Sequence, residues 1–166
     1  AADLTDADLR RANLKGSMFI GGKLVGADLS SADLSGATIT AKLREAVLRG
    51  ADMRGAILEG VNLVSADMRG ATLNEIVLKG ASLYKTKLDG AKLPKANLTD
   101  AWIVDASLKG ANLSQAVLNS AHLNNTDLTG ADLSGAQLIG VDLEGTTLPF
   151  DLKDAVFTDA KLGLGV

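Results

Sequence analysis

The sequence predicts an all-β solenoid, a chain that coils about one axis with four short sides to each coil. Two observations carry this prediction. A five-residue period runs through almost the whole chain, and the apolar composition is strongly skewed: hydrophobic residues make up 46% of the 166 residues, yet aromatics only 3%. A core of Leu and Ala without bulky side chains implies uniform, stacked geometry. Taking Leu4 as the first centre, the next are Leu9, Leu14, Phe19, Leu24, Leu29, Leu34 and Ile39; from Leu43 they continue unbroken to Leu148, then Leu152, Phe157 and Leu162. These are 33 pentads, whose centres hold 27 of the 28 Leu. Two residues before the centre lie 24 of the 25 Ala, and two residues after it 15 of the 18 Gly. The position just before the centre is often Asp, Asn, Ser or Thr.

A period of five fits neither the 3.6 of a helix nor the 2 of a strand, and recurrent Gly further opposes a helix. The pattern requires a chain that turns every few residues and always buries the same two positions. Large centres and small corner residues point in, three positions point out, and Gly, Asn and Asp suit the turns. Two intervals of four interrupt the register, Ile39 to Leu43 and Leu148 to Leu152. The first reads as a tightened corner. The second, beside Pro149 and with Phe150 in place of the small residue, reads as the end of the regular coils and a cap or turn across the open end. The whole of 1–166 is read as one domain with breaks near 40–42 and 149–151.

The repeats A-D-L-S-G, A-N-L-K-G and A-D-L-S-S resemble the A-(D/N)-L-x-x signature of the pentapeptide repeat family, over essentially residues 2–162. That resemblance implies a right-handed quadrilateral β-helix with four pentads per coil. The 33 pentads then give about eight coils and a rod about 40 Å long, at roughly 4.8 Å per stacked strand. Open β-helix ends expose unpaired backbone, and neither end carries an evident capping helix. With the apolar tail Leu162-Gly-Leu-Gly-Val166, this suggests an end-to-end homo-oligomer or a missing flanking segment.

Four pentads per coil stack residues 20 apart, so surface columns can be read directly. One column is Asn62, Ser82, Trp102, His122 and Asp142; its neighbour is Val64, Tyr84, Val104, Asn124 and Glu144. The only Trp, the only Tyr and the only His therefore share one face, and exposed aromatics among aliphatics are the residue types that anchor interfaces. The candidate partner-binding face is Val64, Tyr84, Trp102, Val104, His122 and Asn124. Ser82, His122 and Asp142 suggest a hydrolytic triad, but Trp102 lies between Ser82 and His122. A second face carries Ile57, Val77, Asn97, Val117 and Gln137, an apolar stripe that suggests either an interface or, the preferred reading, the β-propensity of branched residues. A third sets Arg49, Arg69, Lys87 and Lys109 among Asp67, Asp89 and Asp127, a salt-bridged surface. Thr86, Thr126 and Thr146 stand where Ala is expected in one inner column, with hydroxyls able to bond one another or the backbone.

Composition narrows function further. No Cys means no disulfide, thiol nucleophile or thiolate metal site, and one His leaves little imidazole chemistry. No catalytic residue, cofactor site or metal site is expected. Glycines recur at turns and nowhere open a helix, so no phosphate loop is present. The acyltransferase β-helices use a six-residue period, which this chain lacks. A net charge of −3 opposes bulk attraction to nucleic acid, and no run approaches the length of a bilayer span.

Charge is uneven along the chain: 4 basic and 5 acidic groups in 1–41, 11 and 8 in 42–110, 2 and 7 in 111–166. Some pentapeptide repeat proteins are DNA mimics that bind DNA gyrase and protect it from quinolones, which requires a long acidic surface. Here the middle is net basic, and the long loops of some gyrase-protecting members are missing. The reading is a non-enzymatic structural or protein-interaction module, with an unidentified protein partner, no nucleic acid and no membrane span. The alternative is a DNA-mimicking gyrase binder. The start without Met suits a processed or trimmed chain. Localisation stays open between bacterial cytoplasm and, after signal cleavage, periplasm or thylakoid lumen.

Overall fold

The computed structural model describes residues 2–162. Each pentad forms one side. The residue before its centre makes a parallel bridge to the residue 20 positions on, the centre points inward, and a tight turn follows. Among the described residues only Met18–Phe19 (β1) and Thr38–Ile39 (β2) extend to two paired residues, and they pair in parallel. Elsewhere a side is too short to do more than bridge once, so the sheet character lies in the stacking.

The bridges line up as four ladders. The first runs Asp3, Lys23, Lys42, Asn62, Ser82, Trp102, His122, Asp142 and Lys161, its Lys42–Asn62 step being set by the bond from Leu43 N–H to Asn62 O at 3.0 Å. The others begin at Asp8, Asn13 and Met18. The same pair of backbone bonds recurs along the ladders: Leu83 N–H donates to Trp102 O at 2.7 Å, and Trp102 N–H to Ala81 O at 2.9 Å. The chain satisfies its polar backbone by pairing with its own next coil, which is why so simple an interior suffices.

Each regular corner is a four-residue turn closed by a bond such as Ala101 N–H to Leu98 O at 3.1 Å. Its third residue takes positive φ, the region where glycine has no steric cost. Among the described residues fifteen of these positions are Gly, but fifteen others hold residues with side chains, including Glu75 (φ 59°), Lys85 (φ 57°) and Asp105 (φ 54°). The corner Gly preference is therefore energetic, not obligatory. The Asp and Asn before the centres also gain a reason: their Oδ1 accepts the N–H two residues on, as from Val64 to Asn62 (3.0 Å) and from Glu144 to Asp142 (3.2 Å).

From Leu24 to Leu143 every centre is buried, as is every small residue from Ala27 to Val141. Thr86 and Thr146 donate their hydroxyls to Leu63 O and Leu123 O, at 3.0 and 2.6 Å, and Thr126 donates to Ile103 O. Of the two partners expected for these hydroxyls, the structure supplies the backbone.

At the first break the ladders step by 19 and continue: Lys23 meets Lys42, and Thr38 meets Ile57. Thr40, in the shortened corner, ties it to the corner one coil earlier by accepting Gly21 N–H on its hydroxyl at 3.0 Å. The second break ends the ladder from Asn13, whose last bridge is Asn112 to Asp132, but two other ladders run past it, contrary to the expectation that the regular coils end there. Gln137 pairs with Val156 and Asp142 with Lys161 beyond it. Pro149 is buried, while Phe150 is fully exposed: at the other shortened corner the same position holds Ala41, which is buried, and a phenyl ring is too large for that small inward site. The tail residues 163–166, on which the expectation of end-to-end association partly rested, lie outside the described residues.

Candidate functional site

The aromatic face is built by the first ladder and the column two residues further along each side. Ser82, Trp102 and His122 are successive rungs. Val64, Tyr84, Val104 and Asn124 stack beside them, fixed by bonds such as Ser65 N–H to Tyr84 O and Lys85 N–H to Val104 O, both 2.9 Å. Because ladder side chains alternate in and out, Ile103 is buried while Trp102 on one side of it and Val104 on the other face outward. All six predicted face residues come together.

Trp102 is 53% exposed and Tyr84 36%. The indole stacks on the His122 ring, with centroids 3.9 Å apart and planes inclined by 19°. This contact props the indole from one side only. On the other side Ser82 is small, and Val64, Ser82, Tyr84, Trp102 and Val104 line a shallow depression. Lys85 places its ammonium 5.0 Å from the centroid of the Tyr84 ring, a cation–π distance. At Trp102's position an Asn or Asp would accept the N–H two residues on, as Asn62 and Asp142 do; an indole has no acceptor to offer. Trp102 thus replaces a turn-stabilising residue type with a large exposed ring.

Charges frame this patch. Lys42 and Arg44 lie at one end and Asp142 and Glu144 at the other, with Arg44 also paired to Glu45 at 2.9 Å. The Asn124 side chain and then Glu144 N–H hold the Asp142 carboxyl below the ordinary carboxylate range, so it stays anionic. Ser82 and His122 are two rungs apart with Trp102 between, and the three residues of the suggested triad are not assembled. Among the described residues no group of His, Asp and Glu is placed to hold a metal ion, and no helix is long and apolar enough to cross a membrane.

The remaining faces differ in kind. Ile57, Val77, Asn97, Val117 and Gln137 form one ladder, of which Ile57 is 44% exposed. On the third face Asp67 accepts from Arg49 at 2.7 Å and Arg69 at 2.6 Å, and Lys109 pairs with Asp127 at 3.1 Å. Arg69 first, then Arg49, depress the Asp67 carboxyl far below its usual range, against the opposing effect of burial. Here most charges are matched within the chain, and the surface is tied to itself.

The model of pentapeptide repeats matches eight copies, over residues 1–36, 41–70, 62–100 and 106–145. The chain belongs to the pentapeptide repeat family. HetL from the cyanobacterium Nostoc sp. strain PCC 7120, a pentapeptide repeat protein involved in heterocyst differentiation regulation, is similar at 32% identity and TM-score 0.52, covering 99% of this chain and 86% of HetL. QnrB1, a plasmid-mediated fluoroquinolone resistance protein, is similar in one trypsin-treated variant form at 26% identity and TM-score 0.55, covering 99% of this chain and 83% of that one. A second trypsin-treated variant of QnrB1, at 23% identity and TM-score 0.57 over 98% and 90%, supports the all-β repeat solenoid alone. A search of curated proteins returns no match.

Proposed function

We propose that the protein is a non-enzymatic structural and protein-interaction module, a right-handed quadrilateral rod of about eight coils that presents fixed columns of side chains. Its partner-binding face is Val64, Tyr84, Trp102, Val104, His122 and Asn124. The observation that carries this reading is Trp102: a half-exposed indole on a rung, propped against His122 and open toward Ser82. A buried Leu and Ala interior leaves no room for a substrate, so specificity belongs to the outside. The test is affinity capture with wild type and with Tyr84→Ala/Trp102→Ala. The double variant should lose the partner that wild type retains, and an unchanged partner set would defeat the assignment.

A second reading, a DNA-mimicking binder of DNA gyrase, draws on the likeness to QnrB1. The surface charge argues against it, because residues 42–110 carry 11 basic and 8 acidic groups where a phosphate mimic needs an unbroken acidic run. A gyrase supercoiling assay decides between them. Inhibition or quinolone protection at micromolar protein would favour this second reading, and no effect would remove it.

A further inference from the structure

We infer that the aromatic face docks a second copy of this chain, with the two rods side by side and antiparallel. This rests on the reading of the face as an interaction surface and names its partner. The observation is that the face is self-complementary. Place a two-fold axis in the interface, along the strand direction, between the rungs of Ser82 and Trp102. Each column then meets itself with the rungs in reverse order, the isologous contact of a symmetric dimer.

In that arrangement Trp102 of each copy faces Ser82 of the other, and Tyr84 faces Val104, so large side chains oppose smaller ones. The exposed indole enters the depression that Ser82 and Val64 leave open. The charges follow the same symmetry. Lys42 comes opposite Asp142, Arg44 opposite Glu144 and Lys85 opposite Asp105, three pairs of unlike sign, each made twice. Asn62 meets His122 and Val64 meets Asn124 without conflict. The like pair is Lys23 with Lys161, at the outermost rung, where Asp3 already neutralises Lys23 at 3.0 Å. Turning the dimer the other way, with rods parallel, sets Lys42 against Arg44 and Asp142 against Glu144. Electrostatics therefore select the antiparallel form.

The experiment is sedimentation velocity on the full chain at low salt, with thermal melts confirming that each variant is folded. Wild type is expected to dimerise below about 100 µM. Trp102→Ala should weaken the dimer at least about tenfold, as loss of an interface anchor does. Lys85→Glu should weaken it by about tenfold, and Lys85→Glu/Asp105→Lys should restore it, because the swapped charges again meet unlike partners. A monomeric wild type, a dimer indifferent to both single variants, or a double variant no better than the single one would each overturn the inference. If wild type is monomeric yet binds another protein through Trp102, the dimer fails while the interaction-face reading stands.

Discussion

The middle and the ends of this rod are written in the same five-residue code, yet the code yields different environments. Leu83 and Leu93 are wholly buried, whereas Leu4, Leu9 and Leu14, in the same pentad position, are only partly covered. At the other end Leu148, Leu152 and Phe157 are again half-buried. The difference is neighbours: a middle coil is roofed on both sides, an end coil on one. A pentad thus has little stability of its own, and burial comes from stacking, as in other repeat architectures.

The sharpest way to probe this contrast is a pair of identical truncations. Leu93→Ala should cost about 2–5 kcal/mol, the range for an enclosed cavity, while Leu9→Ala should cost less than half as much. Urea denaturation measures both, and equal losses would remove the distinction between middle and end. Next in size, Thr126→Val removes the hydroxyl donated to Ile103 O while keeping the volume. It should cost about 1 kcal/mol in chemical denaturation.

The corners offer a paired test. Gly55 (φ 64°) has open space around an added Cβ, so Gly55→Ala isolates backbone strain and should lower stability by about 1 kcal/mol. Glu75→Gly, at a corner where a side chain already bears positive φ, should change stability in the opposite direction by a smaller amount.

The smallest effect per residue is electrostatic. Asp127 is lowered from 3.8 to about 2, first by the Thr129 side chain and N–H and also by Lys109; Asp3 is lowered to about 2 by Thr5 and Lys23, and Asp8 to about 2 by Arg10. Folded values below the unfolded ones mean that the stabilisation is complete above about pH 4 and is lost as pH falls toward 2. The urea midpoint should therefore be flat from pH 7 to about 5 and decline below 4, with Asp127→Asn showing a shallower decline. These groups are exposed, so each contributes modestly.

The family signature was legible because its five-residue period is plain in the sequence. The columns were legible because the resemblance implies four pentads per coil: with that step of 20, Trp102 beside His122, and Asp67 between Arg49 and Arg69, follow from the spacing. Other features depend on atoms that spacing does not specify. Phe150 stands in a small-residue position of the pattern yet points outward, where Ala41 at the other shortened corner is buried, because the inward site is sized for Ala and not for a phenyl ring. Among the described residues, the fifteen positive-φ corner positions held by residues with side chains show that backbone strain is tolerated where the ladder on either side holds the turn. The near-parallel planes of Trp102 and His122, and the open side toward Ser82, emerge only from side-chain geometry.

The most direct test of the central claim, that one face of the rod is its interaction surface, is site-specific photo-crosslinking. A photoreactive side chain at Asn62, beside the aromatic patch, is compared with one at Lys92, on the ladder across the rod. Crosslinked protein should form from position 62 and not from position 92, whether the partner is a second copy or another chain. Equal yields from the two positions, or crosslinking from 92 alone, would contradict the account.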